Sequence, residues 1–186
     1  MNLSRNWLNE FVDLHDITDK QFNDEMTLSG SKVETIERLD ESLKNVVAGK
    51  ILSMEKHPDS DHMWVCQIDV GQVEPVQIVT GAQNIKEGDI VPAALDDSYL
   101  PNGAHIKAGK LRGVETNGML CSGEELCLTE ADYEGASVYG ILILKPDVKA
   151  GTDMHKVLGL DDYIIDFKIT ANRPDCNCFI GVAKEI

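Results

Sequence analysis

The stretch Leu111–Leu128, LRGVETNGMLCSGEELCL, decides the fold of this chain because it joins strand-like segments through a glycine turn. Its apolar runs are Leu111–Val114 and Met119–Cys121. Between them, Glu115–Gly118 has turn chemistry in which Gly118 can take a positive φ. The pattern predicts a β-hairpin, which we interpret as a candidate binding edge and not as a catalytic motif.

Two capping boxes predict helix starts. Ser122 and Glu125 stand in the S-x-x-E relation, in which each side chain satisfies a backbone N–H at the start of a helix. A short helix is therefore expected after the hairpin. Thr18 and Gln21 form a second box, and Gly30 can end the helix that follows it.

Both ends of the chain also carry regular patterns. Ser4 can cap a first helix, and we predict one apolar face for it from Trp7, Leu8, Phe11 and Val12. Val33–Leu39 and Tyr163–Ile169 are predicted strands. Asp175 is expected to cap a last helix, in which Phe179, Val182, Ala183 and Ile186 fall at helical spacing.

Short strands between glycine and proline turns fill the middle of the chain. Apolar residues alternate from Trp64 to Val70, and Val76–Thr80, Ile90–Leu95 and Ile141–Leu144 are further predicted strands. Several short strands of this kind indicate a small barrel. The simplest architecture has the chain leave a first domain, build the barrel and return to finish that domain.

Composition is that of an ordinary globular protein. The chain has 186 residues, 42% hydrophobic and 26% charged, and no apolar run approaches the roughly 18 residues of a membrane helix. Met1 opens onto a polar segment, so we expect a cytoplasmic protein that does not contact a membrane. The five cysteines are an odd, scattered set, for which reduced thiols are expected.

The charge opposes binding to nucleic acid at long range. Lys and Arg number 17 against 32 Asp and Glu, which gives a formal charge of −15. Residues 46–150 hold 8 basic and 16 acidic side chains, and neither flank is basic. Phosphate backbones should therefore be repelled except where cations cluster locally.

Several chemical motifs fail on spacing. Gly103–Lys110, GAHIKAGK, has five residues between its glycines where a phosphate-binding P-loop needs four. His57, His62 and Cys66 match no paired zinc signature, so turn and strand roles are favoured. Ser122 lacks the G-x-S-x-G context of a hydrolase nucleophile, which favours its capping role over a catalytic one.

Two features near the end of the chain also favour a structural role over a functional one. Cys176 and Cys178 are predicted at a helix start, where residues two apart do not face each other, although a helix N-terminus can lower a thiol pKa. Arg173 lies in an Asn-Arg-Pro-Asp turn. That turn chemistry accounts for it better than contact with RNA does.

Four segments resemble a known family in order and spacing. They are VVAGKI at 46–51, HPDSD at 57–61, VTGAQN at 79–84 and LPNGAHI at 100–106. Together they resemble the OB-fold tRNA-binding domain of several aminoacyl-tRNA synthetases and of free-standing tRNA-binding proteins, over roughly Leu43–Pro146. The flanks, MNLSRNWLNEFV at 1–12 and TANRPDCNCFIGVAKEI at 170–186, resemble the surrounding domain in the β chains of bacterial phenylalanyl-tRNA synthetases.

The resemblance implies an α+β chain with a small OB-fold barrel inserted into a discontinuous α+β domain. The expected parts are 1–42 and 151–186 for the two halves of that scaffold, truncated at its end, and 43–150 for the tRNA-binding domain. The chain would be an N-terminal fragment of a ligase that attaches phenylalanine to its tRNA with ATP and Mg²⁺. In such an enzyme it would join an α chain and the rest of the β chain as α2β2, while the fragment itself carries no catalytic site, metal or cofactor.

The resemblance also supplies candidate tRNA contacts, which are Lys56, Asn84, Lys86, Lys107, Lys110, Arg112, Met119 and Ser122. Each lysine could equally be a solvated surface charge, and the three uncharged residues could serve only turns and core. The chain departs from the family pattern at Trp64, at Cys127, where glycine is commoner, and at Asn177. The acidic balance predicts weak, salt-sensitive binding and an accessory role in tRNA handling.

Three alternatives stay open from the sequence. The chain could be a free-standing OB-fold protein that binds tRNA or acts as a chaperone, which the flanking matches oppose. It could be a small hydrolytic enzyme, a reading motivated only by Ser122, His105 and several aspartates. It could also be a structural module that contacts other synthetase domains and never touches tRNA.

Overall fold

The computed structural model describes residues 1–39 and 41–186, and these residues divide into two compact units. The first unit combines Met1–Leu39 with Asp161–Ile186, so it is built from two separated segments. The second unit is the described part of Asp40–Leu160. Within the described residues, no helix is long and apolar enough to cross a bilayer.

The first unit packs short helices on a three-stranded antiparallel sheet, in which β11 (Tyr163–Lys168) lies between β1 (Asn2–Ser4) and β2 (Lys32–Arg38). Its core includes Leu3, Leu8 and Ile165, and Phe22 meets Phe167 edge to face with 6.1 Å between ring centroids. The elements are β1 (Asn2–Ser4), α1 (Arg5–Leu8), α2 (Asp19–Leu28), β2 (Lys32–Arg38), β11 (Tyr163–Lys168), a 3-10 helix (Pro174–Cys176) and α4 (Phe179–Glu185).

The capping box of α2 is confirmed. The Thr18 hydroxyl accepts from the Gln21 N–H at 3.3 Å, and the Gln21 side chain accepts from the Thr18 N–H at 3.1 Å. Gly30 follows the helix with φ +104°, a conformation that favours glycine. Local chemistry therefore sets both ends of this helix.

The first helix is capped by Ser4 as predicted, but it has only four residues. The chain turns at Asn9, whose side chain accepts a hydrogen bond from the Leu14 N–H at 3.0 Å. The predicted helix therefore ends before Phe11 and Val12, although Val12 still packs, partly buried, against the core of this unit. Trp7 and Phe11 are each 49% exposed, whereas Leu8 is fully buried.

The predicted cap of the last helix is also wrong. Cys178, not Asp175, is the N-cap of α4, because Pro174 starts a separate 3-10 turn first. Asp175 instead accepts a hydrogen bond from the Arg173 guanidinium at 2.8 Å, which lowers the pKa of the carboxyl to about 2. Arg173 also contacts Glu185 at 2.5 Å, so it holds this turn together.

The second unit is mostly β, and its six-stranded antiparallel sheet runs in the order β10-β6-β3-β4-β5, with β7 also paired to β6. Strands β8 and β9 form a separate two-stranded sheet. The elements are β3 (Lys44–Lys56), β4 (Trp64–Asp69), β5 (Val76–Thr80), β6 (Ile90–Tyr99), β7 (His105–Ile106), β8 (Gly109–Leu111), β9 (Val114–Thr116), β10 (Gly118–Leu120) and α3 (Met154–Leu158).

The sheet curls so that its two ends meet near Thr116. The Asn117 N–H donates to the Gln77 carbonyl at 2.9 Å, and the Val79 N–H donates to the Thr116 hydroxyl at 3.1 Å. The enclosed core includes buried Ile51, Cys66, Ile68, Ile78, Val91, Ala93 and Leu120. This curled, mostly β arrangement is consistent with the OB-like barrel that we predicted.

The other face of the sheet is covered by the chain from Cys121 to Leu160, which buries Leu142 and Met154 against it. Two predictions need correction here. Ile141–Leu144 is not a strand, because its backbone bonds go to separate places, Leu142 to Cys121 and Leu144 to Ile90. Residues 151–160, which we assigned to the scaffold, lie in the second unit, since Met154 belongs to this core.

The hairpin predicted between Leu111–Val114 and Met119–Cys121 is wrong, because β10 pairs with β6 and a different hairpin forms from β8 and β9. Leu111 pairs with Val114, and the turn between them is Arg112-Gly113, with φ +45° and +87°. Two positive φ values are what a tight two-residue hairpin requires. Gly118 instead begins β10, where φ is +153° and an added Cβ would lie 2.2 Å from the Ala94 carbonyl oxygen.

Replacing Gly118 should therefore destabilise the second unit. Gly118→Ala is expected to lower the free energy of unfolding by about 3 kcal/mol, because the strained φ and the clash with β6 act together. Gly109→Ala is the matched control, since a Cβ there meets no heavy atom within 4 Å. Urea denaturation of both variants measures the difference, and equal stabilities would contradict the proposed close approach.

Candidate nucleic-acid interface

His57 fastens the β8–β9 hairpin to the end of β3. Its ring is 3% exposed, and Nε2 lies 3.1 Å from the Leu111 carbonyl oxygen. Nδ1 accepts a hydrogen bond from the Asp59 N–H at 3.0 Å, so Nε2 carries the proton and donates to Leu111. Both ring nitrogens are thus occupied, which opposes a role for His57 as a metal ligand.

This contact brings cations from distant parts of the chain to one place. Lys56 directly precedes His57, while Lys110 and Arg112 flank Leu111, and all three side chains are exposed. Lys107 is exposed just before β8. Four of the predicted contact residues therefore lie at or beside the hairpin.

Two of these cations, Lys110 and Arg112, have only long contacts to neighbouring oxygen atoms. The Lys110 ammonium is 3.6 Å from the Glu115 carboxylate, and the Arg112 guanidinium is 3.4 Å from the Asp59 carbonyl oxygen. Exposed pairs of this kind contribute little free energy, so both cations can turn to a phosphate instead. Lys86 lies elsewhere, in the turn before β6, where its N–H donates to Asp89.

A groove of about 1050 Å³ lies beside the hairpin, with Leu111 in its wall. Three more predicted residues, Asn84, Met119 and Ser122, line it together. The structure thus divides the predicted set into a cationic group at the hairpin and an uncharged group in the groove.

The uncharged residues have structural partners. The Asn84 amide pairs with the backbone of Ile141, donating at 2.8 Å and accepting at 3.0 Å. Met119 is partly buried and packs against the core that contains Leu142 and Met154. Ser122 and Glu125 form the predicted capping box, with hydrogen bonds of 2.7 Å and 3.2 Å. These residues shape the groove whether or not they also touch RNA.

The helix predicted after Ser122 is instead a single turn. The Leu126 N–H donates to the Ser122 carbonyl at 3.3 Å, and the Leu128 N–H donates to the Gly123 carbonyl at 2.9 Å. Cys127 takes φ +53° and ends the turn. This left-handed conformation favours glycine, which is the residue that the family resemblance leads us to expect there.

One part of the groove that was not predicted from the sequence carries two exposed side chains, Val138 at 60% and Tyr139 at 99%. Both residues line the groove. Their loop is held by Glu130, whose carboxylate accepts from the Gly135 N–H at 2.8 Å and the Ser137 N–H at 3.2 Å. The same hydrogen bonds lower the pKa of Glu130. An aromatic residue between Val138 and Gly140 in an otherwise small and polar segment is the signal that could have revealed it.

The hydrolytic alternative gains no support from the geometry. The Ser122 hydroxyl bonds to Glu125 at 2.9 Å, whereas His105 lies 2.6 Å from Asp97 and stacks on Tyr99. Among the described residues, the one cluster of metal-type ligands is Asp175, Cys176 and Glu185. Arg173 contacts all three side chains, so these groups already have a cationic partner in its guanidinium.

Comparison with known proteins defines the class of protein to which this chain belongs. The family described as "Putative tRNA binding domain" matches residues 46–153, more than half of the chain, and the chain belongs to that family. Over its full length it is similar to the N-terminal part of phenylalanine–tRNA ligase beta subunits, at 51% identity for Clostridium acetobutylicum and 46% for Clostridium tetani. The chain spans 23% of the length of each of these two relatives.

Among solved structures, a MetRS-related protein from Pyrococcus horikoshii aligns with 25% identity and a TM-score of 0.40. That alignment covers 57% of this chain and 85% of the other.

Loss of the His57 contacts should loosen the hairpin. His57→Phe keeps an aromatic ring but removes both hydrogen bonds, and we expect a fall of roughly 1–3 kcal/mol in the free energy of unfolding. Amide hydrogen exchange should accelerate in β8 and β9 before the rest of the barrel. His62→Phe is the control because His62 is exposed. Unchanged exchange in the hairpin of H57F would contradict the tether.

The five thiols should react in two classes. Burial raises the pKa of Cys66 to about 11 and that of Cys121 to about 12, and Cys176 is also buried. At pH 8 very little thiolate is present at these sites, whereas Cys127 and Cys178 are exposed. Titration with a chromogenic disulfide should give two fast equivalents, then three that react only on denaturation. Fast reaction of all five would contradict the core packing.

Proposed function

We propose that this chain is a non-catalytic tRNA-binding module of a phenylalanine–tRNA ligase β subunit. The supporting observation is that the family match, residues 46–153, covers the strands and the hairpin at which Lys56, Lys107, Lys110 and Arg112 lie. In this role the module helps to dock tRNA while the complete enzyme attaches phenylalanine with ATP and Mg²⁺. Its partners are tRNA, the rest of the β chain and an α chain, in an α2β2 assembly in the cytoplasm.

The two units supply the architecture for this role. We propose that the OB-like barrel is inserted into a discontinuous α+β scaffold formed by the two segments of the first unit. The support is that β11, from the second segment, lies between β1 and β2, from the first. The barrel can then vary its surface while the scaffold holds its place in the larger enzyme.

Electrostatics sets the strength of the proposed binding. Residues 46–150 carry twice as many acidic as basic side chains, so a polyanion is attracted only within about 10 Å of the hairpin at 0.1 M salt. Binding by few phosphate contacts is weak and falls steeply as salt rises. An accessory contact of this kind fits a module that acts together with other parts of a large enzyme.

The acidic balance also favours a second candidate function. A module with a formal charge of −15 could serve only as a structural support between synthetase domains. The two functions differ in what happens to isolated tRNA at low salt, because a purely structural module has no reason to bind it.

Titration of the chain with tRNA at several salt concentrations tests the proposal. We expect binding at 50 mM salt that weakens steeply by 200 mM, and the triple variant K107A/K110A/R112A should lower the slope of log Kd against log salt by about 2 to 3. Fluorescence anisotropy of labelled tRNA is a suitable measurement.

The control is K20A/K32A/K184A, which removes the same charge from the first unit. It should keep the slope of the unmodified chain. Equal effects of the two triple variants would show that only net charge matters, and absence of binding at the lowest salt would favour the structural module.

A further inference from the structure

The groove beside the hairpin is unsuited to phosphate. Of its lining residues, all described, none is basic, and Glu124 and Glu125 contribute two carboxylates. The remaining lining is apolar or carries neutral amide and hydroxyl groups, including Met119, Asn84 and Ser122. Its volume of about 1050 Å³ is in the range of sites that hold ligands of nucleotide size.

An arginine lies in an adjoining hollow, together with Asp59 and Asp61, and it is the group that could meet a phosphate there. This smaller hollow, of about 590 Å³, is lined by Arg112, and it shares Met63 and Gly81 with the groove. The two spaces are therefore contiguous, and Leu111 and Arg112 stand one in each wall. A ligand with a neutral planar part and an anionic part can place the first in the groove and the second at Arg112.

Tyr139 gives the groove a flat, accessible ring. It is 99% exposed although the segment around it is fixed, because the Asn84 amide grips Ile141 and Glu130 holds the preceding loop. Because the loop is already ordered, stacking of a base on Tyr139 fixes the side-chain rotamer but requires no further ordering of the backbone. Stacking of this kind tolerates any base, since each has a π-face.

We propose that this groove holds unpaired bases of RNA, stacked on Tyr139, with the adjoining phosphate on Arg112. The inference rests on the proposed tRNA-binding function and narrows it to single-stranded nucleotides over a duplex stem. In a duplex the bases are stacked inward on one another, so none is free to enter the groove.

Anisotropy with short RNA tests this proposal. The probes are a labelled 12-nucleotide RNA without self-complementarity and the same strand annealed to its complement, both at 50 mM salt. We expect the single strand to bind more tightly than the duplex. Tyr139→Ala should weaken single-strand binding about tenfold, while Tyr139→Phe, which keeps the ring, should stay within about twofold of the unmodified chain.

Val73→Ala serves as the control, because Val73 is fully exposed and does not line the groove. Unfolding curves for all variants should coincide, since Tyr139 has almost no buried surface to lose. Unchanged single-strand binding in Y139A, or tighter binding of the duplex, overturns the proposal.

The same measurements distinguish a failure of the groove assignment from a failure of the tRNA-binding function. If labelled tRNA binds and responds to K107A/K110A/R112A but not to Y139A, the groove assignment is wrong and the tRNA-binding function stands. If neither tRNA nor the single strand binds the unmodified chain, both are wrong.

Discussion

The second unit depends on the double pairing of β3, which hydrogen-bonds to β6 on one side and to β4 on the other. Its side chains serve both cores, with Val46 and Ala48 in one and Ile51 in the other, and its register with β4 shifts between Ile51 and Ser53. Gly49 permits the close packing, because a Cβ there would lie 2.5 Å from a methyl group of Ile68. Since His57 follows directly after β3, the same strand also sets the position of the cationic hairpin.

An acidic protein can offer a site to a polyanion when its few cations are placed together. Here the placement comes from a neutral imidazole, which contributes no charge of its own and joins segments 54 residues apart. The positive charge lies at the hairpin, whereas the groove beside it has no basic side chain among its described lining residues. Positive charge and apolar surface are therefore separated over a short distance. Such a division suits a ligand whose backbone is anionic and whose bases are neutral.

Local chemistry could be predicted from the sequence, and long-range contacts could not. Both capping boxes, at Thr18 and Ser122, formed because their partners lie three residues apart. The hairpin was misplaced because Glu115–Gly118 has the residues of a turn, whereas Gly118 is required by the close approach of β6. The His57 tether joins residues 54 positions apart, so no local pattern indicates it. The exposed Tyr139 has a local signal, an aromatic residue in a small and polar segment, but the contact of Asn84 with Ile141 beside it is long-range.

The β8–β9 hairpin stands outside the six-stranded sheet, and its charged side chains bury no core surface. Exchanging a lysine there for a neutral or acidic residue changes the field around the barrel without opening a cavity. The electrostatic field at the hairpin and the stability of the barrel can therefore change separately. The charge of the hairpin can change without disturbing the strands or the close approaches at Gly49 and Gly118.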